Sequence, residues 1–308
     1  MKKLIKSIAR PIVAKLVIAY EKNSYPGIDV KNPNIANEAI KNIIKASQPA
    51  LIGKMGSVEL DMVRSYLRKI STESKKWKHR MNRLHVCPGI FPEDSDLVKD
   101  WCDAYIEALK DMDVLGVWFN AEEARVAHKF CKNAKIVHYG GIEPFECSDP
   151  WIKDLEGKNV LVIHPFAKSI KMQYEKRDLV WGERKLLPDF NLMQIKMPLS
   201  EAIMPSAFNN WKEQLDYLKK QMDEFDYDVV LVGAGGYSLL LAQHAKASGK
   251  IGIHLGGSTQ VLFGVYGSRW LNNPASTRLF NEHWVRPLPE ETPPAERCAE
   301  VKRDGCYW

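Results

Sequence analysis

The stretch Gly53-Lys54-Met55-Gly56-Ser57-Val58-Glu59 sets two glycines, a lysine, a serine and a glutamate between an apolar run and an amphipathic one. Each of these types has a use at a phosphorylated ligand. A glycine has no Cβ to keep backbone N–H groups away from a phosphate, and Lys54 supplies a cation. Ser57 is suited to cap a helix, and Glu59 falls in that helix's first turn, where an acidic side chain complements the dipole. A capped helix start and a ligand site are both consistent with these residues alone.

Two further strand-to-helix turns carry similar chemistry. In "DVVLVGAGGYSLLLAQHAKASGKIGIHLGG" a strand enters Gly233-Ala234-Gly235-Gly236, followed by a helix and a second strand ending at His254. The dinucleotide fingerprint G-x-G-x-x-G would need a third glycine where Ser238 stands and an acidic residue near His254. An NAD site is therefore rejected in favour of a Rossmann-like turn. Gly256 and Gly257 then lead into Ser258, Thr259 and Gln260, a second phosphate or sugar contact. The third turn, "VLVIHPFAKSIKMQYEKR", closes a strand with His164 and continues into Lys168 and Arg177, cations suited to a diphosphate.

Carboxylates near predicted strand ends are Glu59, Glu122, Glu123, Glu143 and Asp149. Glu122, Glu123 and His164 are candidates for a general base, and no spacing rule chooses among them. H-E-x-x-H, P-loop, G-x-S-x-G and Cys–His patterns are absent from the sequence.

The elements that must hold these residues alternate along the chain. Apolar runs of strand length occupy 49–53, 114–119, 135–139, 159–165, 193–198, 228–235 and 251–256, with helical stretches at 34–46, 57–69, 95–110, 121–132, 168–183, 207–223 and 236–248. Strands without polar alternation, joined by helices, predict an α/β fold of Rossmann-like type: a mostly parallel sheet flanked by helices. In such sheets ligands sit beyond the carboxyl ends of the strands. Residues 1–30 read as a basic amphipathic helix and linker, 31–283 as the α/β domain, and 284–308 as a proline-rich tail that packs on it. Within the domain, 71–92 reads as an irregular basic connector.

With 44 basic and 38 acidic residues the net charge is +6, a mild excess suited to anionic small ligands or a membrane surface. No basic tract interleaved with aromatics suggests a nucleic-acid groove, so nucleic acid is not an expected partner. Six scattered cysteines without a C-x-x-C pair suit free thiols in a reducing compartment. The N-terminus, "MKKLIKSIARPIVAKLVIAY", is too interrupted by charge for a signal peptide or a membrane span. It suits either an anionic membrane surface or packing on the domain through Leu4, Ile5, Ile8, Ile12 and Leu16. The expected location is cytoplasmic, with association at the inner face of the membrane.

In this order the pieces resemble a bacterial glycosyltransferase family of GT-D fold. Its N-terminal turn, Arg-aromatic-Gly-Asp-Gly-Glu, matches Lys54-Met55-Gly56-Ser57-Val58-Glu59 here, and its second block resembles "VVLVGAGGYSLLLAQHAKASGKIGIHLGG". The resemblance spans roughly 48–308. It implies transfer of a sugar from a nucleotide-diphosphate donor, such as a UDP-sugar, to a glycan or lipid-linked acceptor in surface polysaccharide synthesis. It also implies a donor site at Gly53, Gly56, Ser57 and the glycine turns from 233 to 257, with Glu59 essential. The family's D-x-E pair helps hold Mn²⁺ or Mg²⁺; Ser57 replaces its Asp, so any metal would rest on Glu59. Lys54, Lys168, Arg177 or Arg269 would supply positive charge to the diphosphate instead. The alternatives are another Rossmann-like transferase, such as a methyltransferase, or a non-catalytic glycan-binding or scaffold protein.

Overall fold

Each apolar run becomes a strand: β1 (Ala50–Lys54), β2 (Val114–Val117), β3 (Lys135–His138), β4 (Asn159–His164), β5 (Asn191–Lys196), β6 (Val229–Val232) and β7 (Ile251–His254). The computed structural model describes residues 2–271, 274–294, 296–297 and 307–308, with side chains from residue 13 onward. Among the described residues these seven strands form one all-parallel sheet, ordered β3-β2-β1-β7-β6-β4-β5.

Consecutive apolar residues are needed because both faces of this sheet are buried. Leu51, Leu115, Leu161, Ile163, Val230 and Val232 point into one core, and their neighbours Ile52, Val114, Val160, Val162, Val229 and Leu231 point into the other. Full burial of each such side chain contributes about 1.5–3 kcal/mol. Two helices, α1 (Lys2–Asn23) and α2 (Pro33–Ala46), precede the sheet. Three, α3 (Ser57–Leu67), α4 (Lys75–Val86) and α5 (Ser95–Lys110), join β1 to β2, and α6 (Glu123–Phe130) joins β2 to β3. The other half of the sheet is connected by α7 (Ala167–Tyr174), α8 (Arg177–Trp181), α9 (Trp211–Asp223) and α10 (Ser238–Ala247), and α11 (Ser258–Leu262) follows β7. Such layering is a Rossmann-like α/β arrangement.

The basic connector expected at 71–92 is instead built around α4. Ser74 Oγ accepts the Trp77 N–H at 3.1 Å, and Trp77, Met81 and Leu84 recur four and three residues apart on the buried face. Lys75, Lys76 and Lys78 lie outside, and their charge obscures that period in the sequence. The single helix expected over 168–183 is broken into α7 and α8.

Tail residues enter the core. Trp284 is buried and donates from Nε1 to the Val180 carbonyl at 3.0 Å; Trp308 is buried as well. Glu291 accepts the Lys168 and Ser169 N–H groups at 2.7 and 3.0 Å, capping α7. At the other terminus, Glu21 docks the end of α1 by accepting N–H groups of Glu122 (2.6 Å) and Ala124 (3.0 Å) at the start of α6. Between Val13 and Tyr20 the described part of α1 is largely exposed, Leu16 at 65% and Tyr20 at 72%. The reading in which Leu16 packs on the domain is thereby corrected, while Leu4, Ile5, Ile8 and Ile12 lie outside the described side chains. Among the described residues no helix is long and apolar enough to cross a membrane.

Candidate functional site

The chain leaves β1 outward through β2 and β3, then builds the other half and returns to set β7 beside β1. Loops leaving neighbouring strands therefore diverge at the carboxyl edge, where this class of sheet opens a crevice. Here the crevice is a cavity of about 680 Å³, floored by the ends of β1, β7, β6 and β4.

Its first end, over β1, is charged. Lys54, the last residue of β1, is buried with its Nζ 2.8 Å from Glu143 Oε1 and 4.4 Å from the centre of the Trp118 ring. Ser258 Oγ donates to the same Glu143 oxygen at 2.5 Å. Trp118 stacks on Tyr139 with centroids 4.4 Å apart and planes 8° from parallel. Lys54 is thus matched by a carboxylate of the protein itself. Gly56, the N-cap of α3, has no side chain to cap the helix with, and the Glu59 carboxylate folds back over it. A Cβ at position 56 would lie 2.1 Å from Glu59 Oε2. Burial pushes the Glu59 carboxyl up, while N–H groups of Glu59 and Val58 and the charges of Arg269 and Arg83 pull it back. Both arginines line the cavity, and Arg269 Nη1 donates to the Tyr307 hydroxyl at 2.9 Å.

The second end, over β6 and β4, is nearly free of charge. Gly233 lets three elements meet: a Cβ there would lie 2.6 Å from His164 Cδ2, 2.7 Å from the Gly256 carbonyl and 2.8 Å from Thr259 Oγ1. His164 is buried, and its Nδ1 accepts the Phe166 N–H at 3.0 Å, which puts the neutral ring's proton on Nε2. Burial lowers its pKa to about 3; burial, and then the Lys54 charge, lower that of His254 to about 3 as well. Both rings are neutral at pH 7. Glu201, from the β5–α9 connection, reaches the same end and is 6% exposed.

Of the residues singled out in the sequence, Lys54, Gly56, Ser57, Glu59, Glu143, His164, Gly233, Gly235, His254, Gly256, Gly257, Ser258, Gln260 and Arg269 all line this cavity. The others lie elsewhere. Gly53 gives clearance to His254 Cβ inside the sheet, and Gly236 packs on Ile90. Lys168 pairs with Glu290 at 2.6 Å on the surface, and Arg177 with Asp189 at 3.0 Å. Glu122 is held by Arg64, Arg68 and Arg125. Glu123 is buried and accepts the Trp118 and Asn120 N–H groups at 3.0 and 2.9 Å, with a pKa raised to about 8 by burial. Arg83, Trp118, Tyr139, Glu201 and Tyr307 join the cavity without having been singled out as its residues. The masked helical period of α4 was the one available signal for Arg83.

Ser57 and Glu59 do not make a divalent-cation donor set, since the one carboxylate is balanced by Arg269 and Arg83. Among the described residues no three His, Cys, Asp or Glu side chains converge as metal ligands.

Fold and site together define a Rossmann-like α/β protein with a cavity at the topological switch point of a parallel sheet. No family model matches the sequence, and no curated protein does. A solved selenomethionine-substituted structure of "domain of unknown function 1792" aligns over 73% of this chain and 80% of its own length, with 12% identity and a TM-score of 0.40.

Proposed function

We propose that the chain is a glycosyltransferase that moves a sugar from a nucleotide-diphosphate donor, a UDP-sugar, to a glycan or lipid-linked acceptor in bacterial surface polysaccharide synthesis. One observation carries this reading. Arg83 and Arg269 line one end of a single cavity, beside the α3 start that Glu59 covers, while a neutral end with a buried carboxyl adjoins it. A departing diphosphate needs the first environment and a reacting sugar carbon the second. The volume, about 680 Å³, falls within the roughly 300–1,000 Å³ typical of small-molecule sites.

Calorimetry with UDP, other nucleoside diphosphates, their sugars and S-adenosylmethionine tests the donor. Binding of a nucleoside diphosphate, with release of sugar from its conjugate, supports the reading. Preference for S-adenosylmethionine would point to a methyltransferase, and binding of neither to a scaffold. Repeating the release assay with Mn²⁺, Mg²⁺ or a chelator decides metal dependence.

The exposed Val13, Leu16, Ile18 and Tyr20 of α1, in a segment whose sequence also carries Lys2, Lys3, Lys6, Arg10 and Lys15, support a second element of the proposal, attachment to an anionic membrane at the cytoplasmic face. Cosedimentation with vesicles containing phosphatidylglycerol should fall on Leu16→Glu substitution. Equal binding to neutral vesicles, or no binding, would refute it.

A further inference from the structure

Among the described residues four carboxylates line the cavity: Glu59, Glu143, Glu146 and Glu201. Three are engaged by cations. Glu143 is bonded to Lys54, Glu146 lies 3.0 Å from Arg278, and Glu59 feels Arg269 and Arg83. Glu201 has no cation partner among the described residues; its Oε2 accepts the Ser200 N–H at 3.1 Å. The surrounding backbone makes room for it. A Cβ on Gly235 would lie 3.0 Å from Glu201 Oε1, and one on Gly89 would lie 3.2 Å from its Cδ. Both glycines have positive φ, +51° and +75°. Ser200 Oγ fixes the segment by donating to the Gly89 carbonyl at 2.7 Å. Ala202 and Ile203 follow at φ 56° and 54°, in a region that costs a non-glycine residue about 1–3 kcal/mol.

We propose that Glu201 is the general base of this cavity, a role that rests on the glycosyltransferase reading. The carboxylate takes the proton of the acceptor hydroxyl as that oxygen bonds to the anomeric carbon of the donor sugar. The bond from that carbon to the diphosphate breaks, and its electron pair leaves on the phosphate oxygen, beside Arg83 and Arg269. His164 does not serve as the base in this tautomer, because Nδ1 is bonded to the Phe166 N–H and Nε2 already carries a proton. Its N–H is left to hold a substrate oxygen. Burial raises the Glu201 carboxyl, with N–H groups of Glu201 and Ser200 pulling it back. Turnover should therefore rise with pH through a limb that belongs to this group.

The test compares wild type, Glu201→Gln and Glu201→Ala for UDP release from UDP-sugars, with water and with extracted glycan as acceptors, and for UDP affinity by calorimetry. Glu201→Gln should lose about 10²–10⁴-fold in turnover and the acidic limb of the pH profile, with UDP affinity within about twofold of wild type. Formate, which can occupy the space left in Glu201→Ala, should restore part of the rate. Wild-type turnover in Glu201→Gln would overturn the assignment while leaving the donor reading intact. So would an inactive Glu201→Ala that still binds UDP and does not respond to formate. A wild-type protein that neither binds UDP nor releases it from any donor would remove the donor reading, and the base with it.

Discussion

Lys54 and His164 close β1 and β4, two strands that meet the same cavity, and both side chains are buried. Lys54 has a carboxylate at 2.8 Å and an aromatic face at 4.4 Å, so its end of the cavity is organised by ion pairing. His164 has a backbone N–H and apolar neighbours, and burial holds it neutral. One sheet edge thus offers a ligand two electrostatic environments side by side. Burying an ion requires a partner of opposite charge. Charge in the cavity is therefore concentrated where Glu143, Glu59 and the arginines can answer one another, while burial favours the protonated form of Glu201 at the other end.

Removing Lys54 should break this contrast most severely. Its side chain is 5% exposed and that of Glu143 12%, so Lys54→Met leaves a buried carboxylate without its cation. Loss of one partner of such a pair costs about 3–5 kcal/mol. Urea denaturation should show that loss at pH 7, and the double variant Lys54→Met/Glu143→Gln should recover much of it. A single variant as stable as wild type would mean that the pair does not organise this end.

The neutral end should reveal itself in acid. His164 titrates near pH 3 when folded and near 6.5 when unfolded. Above pH 6.5 neither state binds its proton, and the stability it contributes is fully present. As pH falls below 6.5 the unfolded chain takes up a proton that the folded one refuses, so stability drains away until about pH 3. One such group gives a slope approaching about 1.4 kcal/mol per pH unit. His164→Asn, whose Oδ1 can still accept the Phe166 N–H, should flatten the stability curve between pH 6 and 4 by up to that amount. An unchanged slope would contradict a neutral His164 at this end.

The sequence disclosed part of each end. Each strand is a run of consecutive apolar residues, legible because a sheet covered on both faces needs no polar alternation. Lys54, Gly56 and Glu59 stand out as polar residues and glycines at a strand end, and all three reach the cavity. Lys168 and Arg177 have the same local signature but turn to Glu290 and Asp189, and nothing near Lys168 announces a partner 122 residues away. Glu201 is the reverse case. In "PLSEAIMPS" it is one acidic residue in a loop, and its burial comes from Gly89 and Gly235, both distant along the chain. The tail is legible as a segment that packs on the domain, but its composition does not show that Trp284 and Trp308 are buried within a core.

The smallest expected effect falls on the rim, where Arg269 is exposed to solvent and hydrogen-bonded to Tyr307. A charge-assisted hydrogen bond is worth about 1.5–3 kcal/mol when fully formed, and solvent screens a rim residue toward or below the lower figure. Arg269→Ala should therefore weaken UDP binding by roughly tenfold, which is 1.4 kcal/mol. It should also reduce the salt dependence of that binding and leave the acid stability slope of the neutral end unchanged. Its loss should raise the Glu59 carboxyl further, because Arg269 is one of the charges that pull it down. Titration calorimetry at two ionic strengths separates this from a general loosening of the cavity. Weaker affinity with an unchanged salt dependence would mean that Arg269 acts by packing on Tyr307 and not through the phosphates.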